Sequence, residues 1–133
     1  MKIKRIKEIS DKFVNLKVGV PLGAAMACFA AYSHYDYGLG TMALVGARHF
    51  VTSSLTGSLS ARACQYGARN SNPFLGWTLG ELYAWGVANA IILSAHYITG
   101  TPEPFKAIAI PSLIGAVILN PMIIYLTRTG RLK

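Results

Sequence analysis

The chain has 133 residues, enough for one domain, with 53% hydrophobic residues, only 14% charged residues and a net charge of +8. Ordinary soluble domains carry roughly a quarter of their residues as charges. A nucleic-acid binder with this charge would spread it over a surface patch, whereas here Lys and Arg gather at the chain ends and between apolar runs, so no nucleic acid is expected as a partner.

Residues 1–17 come first. Ile3, Ile6, Ile9, Phe13 and Leu16 recur at helical spacing, with Lys2, Lys4, Arg5, Lys7, Lys12 and Lys17 among them. That pattern predicts a short amphipathic helix lying on the inner membrane surface. It is read as a retained anchor rather than a cleaved signal peptide, with sensing of anionic lipid as the functional alternative.

Apolar runs follow at 18–34, 40–63, 74–99 and 105–127. Each approaches or exceeds the roughly 20 residues needed to cross a bilayer core. No alternating pattern is present, which excludes the strands of a membrane barrel. The expected fold is an all-α membrane protein, one domain over 1–133, with four transmembrane helices in an antiparallel bundle behind the interfacial helix. The first connection, "SHYDYGLG", combines aromatics with glycine as an interfacial turn should. In the second, "RNSNPF", Ser71 or Asn72 can cap a helix that has Pro73 at its first position. In the third, "TGTPEPFK", Gly100 ends one helix, and Pro102 and Pro104 stiffen the entry to the next.

Basic residues set the orientation. The N-terminal cluster, Arg62 with Arg69, and Arg128, Arg131 and Lys133 fall on one side if both termini are cytoplasmic. The expected location is a bacterial-type inner membrane, crossed several times.

Polar residues inside the runs mark the candidate ligand or ion site. Counting along antiparallel helices puts Glu81 about 9 Å above the inner end of the third span. Asn120, Thr56 and Ser58 share that depth with Arg62 just below, which predicts an inner polar layer containing an Arg62–Glu81 pair. Asn89, about 21 Å up by the same count, falls level with Arg48 and His49 in an outer layer. An ion in hydrocarbon costs several kcal/mol unless it is paired. At 100° per residue, Thr78, Glu81, Trp85, Asn89, Ile92 and His96 share one face of the third span. Gly46, Ser53, Gly57 and Ala61 form a small-residue stripe on the second span, suited to close helix packing. Arg48 points away from that stripe, toward headgroups or a partner chain.

The remaining chemistry is sparse. No metal-spaced cluster, phosphate loop or nucleophile elbow occurs, so no catalytic residue, metal or cofactor is assigned. Cys28 and Cys64 differ in depth by about 15 Å, too far for a disulfide, and both are read as buried packing residues. Asn120-Pro121 breaks the helical ladder of the fourth span. The expected function is a non-catalytic membrane component: an accessory subunit of a larger complex, or a transport-type homo-oligomer with a polar intramembrane site. The alternatives are a lipid-headgroup-binding protein or lipid-modifying enzyme using Arg48 and His49, and a holin-like pore former. The bilayer is the partner common to these readings, and the headgroup-binding alternative adds an anionic lipid.

Overall fold

Helix boundaries fall where the turn chemistry puts them. The structure is a computed structural model that describes residues 14–69 and 71–132. Its helices are α1 (Leu16–Tyr32), α2 (Leu39–Ala68), α3 (residues 73–98) and α4 (Pro104–Arg128), with a short 3₁₀ turn at Tyr35–Tyr37. No strand occurs among the described residues. The predicted interfacial helix lies almost wholly outside them, and its last two residues, Leu16 and Lys17, already belong to α1. Asn72 caps α3 by accepting from the amide of Phe74 at 3.0 Å, with Pro73 at the first helical position.

Two helix ends close with the same device. Gly100 (φ +67°) lets the amide of Thr101 reach back to His96 O at 2.9 Å, while its own amide meets Tyr97 O at 3.1 Å. Gly130 (φ +71°) does the same after α4, with Arg131 N on Leu126 O at 2.9 Å. Both are Schellman turns, which need a left-handed residue that glycine adopts without strain.

Consecutive helices run antiparallel. Gly19 and Gly23 of α1 face Ser58 and Ser54 of α2, so closely that an added Cβ on either would overlap a serine hydroxyl. Gly46, higher on α2, meets Ala31 of α1. Lower down, Gly67 of α2 lies against Gly76 of α3, and Gly80 lies against Cys64. These close approaches follow from having no side chain at the crossing. Two apolar clusters stack along the bundle. The upper one joins Ala30, Val45, Ile92, Ala107 and Ile108. The lower one joins Ala61, Cys64, Ala68, Ile123 and Ile124.

Length and apolarity suffice for a membrane crossing in one described helix, α4, with 25 residues. The other three expected crossings do not meet that measure. α1 is apolar but has only 17 residues. α2 is long enough at 30 residues, but its serines, threonines, Arg48, His49 and Arg62 dilute its apolarity. Cys28 also differs from expectation. It is exposed, because α1 turns Gly19, Gly23, Ala27 and Ala30 inward and leaves position 28 on the opposite side.

Candidate functional site

α3 and α4 are not regular throughout. Each widens to π-helical turns, at Leu82–Ala88 in α3 and at Gly115–Leu119 in α4. Pro121 explains the second. It has no amide hydrogen, so it cannot donate to the carbonyl one turn before it. Such widened turns inside α-helices recur at functional sites. Here each is followed directly by an asparagine, Asn89 or Asn120, and both asparagines border a cavity.

The cavity measures about 90 Å³ and lies between the two apolar clusters. At roughly 30 Å³ per water in the liquid it takes about three waters, or one small molecule. All four helices wall it. Leu22 and Met26 come from α1, Ile92 from α3, and Ile108, Leu119 and Ile123 from α4. α2 supplies the polar side with His49, Ser53, Thr56 and Ser60, and also the bare face of Gly57. An added Cβ at Gly57 would meet nothing within 4 Å. The predicted packing stripe therefore divides. Gly46 touches α1 and Ala61 joins the lower apolar cluster, whereas Ser53 and Gly57 face space.

His49 is fully buried, at 0% exposure. Its Nδ1 is 3.1 Å from Nε2 of His96, and the two rings stack with centroids 5.4 Å apart. The other nitrogen of His96, Nδ1, is 3.0 Å from Oγ1 of Thr101. Arg48 donates to that same hydroxyl through Nη1 at 3.2 Å. The Schellman turn makes this possible, since it folds Thr101 back over His96. His49 is the member of the row that lines the cavity, and its Nε2 is buried with no hydrogen-bond partner. Oγ of Ser60 on the same wall also has none.

The predicted layers are brought together in part. Glu81 accepts from Nδ2 of Asn120 at 3.0 Å, so those two do meet. Arg62 instead donates to Gln65 at 3.0 Å, and Gln65 also accepts from Asn15 at 3.3 Å. The Arg62–Glu81 pair is thus absent; the salt bridges among the described residues join Lys106 to Asp36 and Glu103, each at 3.2 Å. Arg62 extends along its own helix, and the amide of Asn120 occupies the carboxylate. In the outer layer Asn89 accepts from Ser112 at 2.6 Å. Arg48 and His49 do not share a surface, since the guanidinium goes to the loop hydroxyl and the imidazole turns inward. Trp85 leaves the predicted α3 face and is 53% exposed. The π-turns shift the angular register on which that face was drawn.

Sequence reasoning missed His96, Thr101, Ser112 and Gln65 as partners. His96 stood on the predicted stripe, so its signal was available. Thr101 carried none, because its position depends on the turn around Gly100. At the rim, His34 is buried and holds Pro102 O at 2.6 Å through Nε2. Outside the helices, Asp36 is held below the usual carboxylate range by a backbone hydrogen bond and by Lys106.

The arrangement offers hydrogen-bond donors and acceptors to a mostly apolar space. No group of three or more His, Cys, Asp or Glu gathers at metal-binding distance among the described residues. No protein-family model, curated protein or solved structure matches the chain.

Proposed function

We propose that this chain is a small multi-pass membrane protein that holds a small solute inside its helix bundle, as a non-catalytic, transport-type component. The observation that carries this reading is an inverted polarity. His49, His96, Ser53, Thr56, Ser58, Ser60, Gln65 and Asn120 are buried, while Leu44, Val51, Leu55, Leu82, Ile91, Ile110, Leu113 and Val117 are exposed. Water favours the opposite arrangement, and exposed apolar surface on this scale marks contact with lipid or another protein. A bilayer accepts it, provided that polar groups face inward.

Aromatic residues support the same reading. Tyr66, Phe74, Trp77 and Tyr125 are exposed at one end of the bundle, and Tyr32, Tyr35, Tyr37, Tyr97 and Phe105 at the other. Two such girdles suit the two membrane interfaces. Lys17, Arg69, Arg128 and Arg131 lie at the first end, which is the cytoplasmic end under the positive-inside rule. The solute part of the proposal rests on the cavity, since four packed helices have no structural need of an open centre lined by hydroxyls and an imidazole.

Cys28 provides the test. It is exposed on α1, and Cys64 is buried. In proteoliposomes, Cys28 is expected to resist a charged, membrane-impermeant maleimide, while a cysteine placed at Arg131 reacts with reagent supplied to one side only. Rapid labelling of Cys28 from the aqueous phase overturns the membrane reading.

A further inference from the structure

The row from Arg48 to His49 has a direction, and the direction determines what the cavity can hold. A guanidinium only donates, so the Thr101 hydroxyl accepts from Arg48. That hydroxyl still carries one hydrogen. Among the described residues, the acceptor in its reach is Nδ1 of His96. If His96 donated instead, the buried Thr101 O–H would have no acceptor, which is costly. Nδ1 of His96 therefore accepts, and a neutral His96 carries its proton on Nε2. It donates to Nδ1 of His49 at 3.1 Å. A neutral His49 in turn carries its proton on Nε2, which is buried without a partner in a residue that lines the cavity. The row thus ends in an N–H. Each bond in it polarises the next, with a fixed positive charge at its far end.

We propose that the cavity binds a small neutral molecule with an apolar body and one hydrogen-bond acceptor, a ketone-, ester- or amide-type oxygen, held by Nε2–H of His49. This rests on the reading of the bundle as solute-binding and names the class of solute. The walls set the apolar body: Leu22, Met26, Ile92, Ile108, Leu119 and Ile123 surround the space. Neutrality follows from the absence of any Lys, Arg, Asp or Glu among the lining residues. An anion would face apolar walls without a counter-charge. Acceptor strength matters because Nε2–H of His49 is otherwise unsatisfied, as is the hydroxyl of Ser60 on the same wall. A ligand lacking an oxygen leaves it so, and sites of that kind discriminate strongly.

Histidine-labelled protein in lipid nanodiscs tests this, with nitrogen NMR to read the tautomers and cyclohexanone and cyclohexane as probes. Without probe, His49 and His96 are both expected to carry the proton on Nε2. Cyclohexanone is expected to shift Nε2 of His49 and the methyl signals of Met26, Ile92 and Ile123, at least tenfold more tightly than cyclohexane shifts the methyls. His49→Leu is expected to abolish that preference, and His49→Gln, which keeps an N–H, to retain it. The wild-type spectra suffice if a variant does not fold. A proton on Nδ1 of His49 overturns the proposal, because the cavity then presents an acceptor. Equal shifts of the methyls by both probes, with Nε2 unmoved, overturn acceptor recognition but leave solute binding standing. Silence of the methyls toward both probes removes solute binding as well.

Discussion

Gly67 and Gly57 lie on the same helix, and the missing side chain serves opposite ends. At Gly67 it allows contact. α3 comes so close that an added Cβ would overlap Cα of Gly76, with the backbone nitrogen of Gly76 also within 2.9 Å. At Gly57 it leaves room, and a Cβ would meet nothing within 4 Å. The lower half of the bundle is joined backbone to backbone, whereas the middle is held open between two apolar clusters. A glycine in a helix is therefore not by itself a packing signal. What it faces decides whether it closes the structure or leaves space for a ligand.

The sharpest way to break this contrast is to add one methyl at each position. Gly67→Ala is expected to cost about 2–3 kcal/mol, the upper range for overpacking a tight contact, because the atoms in its way are backbone and cannot rotate aside. Unfolding titrations in mixed micelles measure it. Gly57→Ala should be neutral or stabilising by up to about 1 kcal/mol, since alanine is the better helix former. Equal losses at the two sites would mean that the middle is as closely packed as the crossing. The contrast sharpens with Gly57→Leu. Its side chain enters the cavity, so stability should hold while the methyl shifts caused by cyclohexanone weaken at least tenfold. Binding that survives this substitution would place the solute elsewhere.

The fold was legible because its determinants are local. Apolar runs, Asn72-Pro73 and Gly100 define helices without reference to distant residues, and each of the four apolar runs lies within a few residues of an observed helix. The site was legible where depth alone was enough. Counting residues put Glu81 level with Asn120, and they meet. It failed where angle mattered. A regular period extended through residues 82–88 turns Trp85 inward, whereas those residues form π-turns and expose it. The same assumption hid the partners of Asn89 and His49, which lie on other helices at angles that a single period cannot supply. Among the described residues, length and apolarity mark only α4 as a candidate crossing, since α1 has 17 residues and the hydroxyls and charges of α2 lower its average.

The smallest expected effect tests whether the rim matters to either region. Asp36 and Lys106 tie the α1–α2 turn to the start of α4 across the outer end, at 3.2 Å and in an exposed position. The folded protein holds the Asp36 carboxyl below its ordinary value of 3.8, through a backbone hydrogen bond first and Lys106 second. A carboxyl lowered on folding stabilises the fold fully above its unfolded value. That stabilisation fades as pH falls through the lowered one. The contribution should therefore be constant from neutrality down to about pH 5 and decline below pH 3.8. Exposure and salt screening keep it small. Asp36→Asn should flatten the acid limb of a stability–pH curve and leave stability at pH 7 nearly unchanged. A large loss at pH 7 would make the rim, rather than the glycine crossing, the element that holds the cavity walls in place.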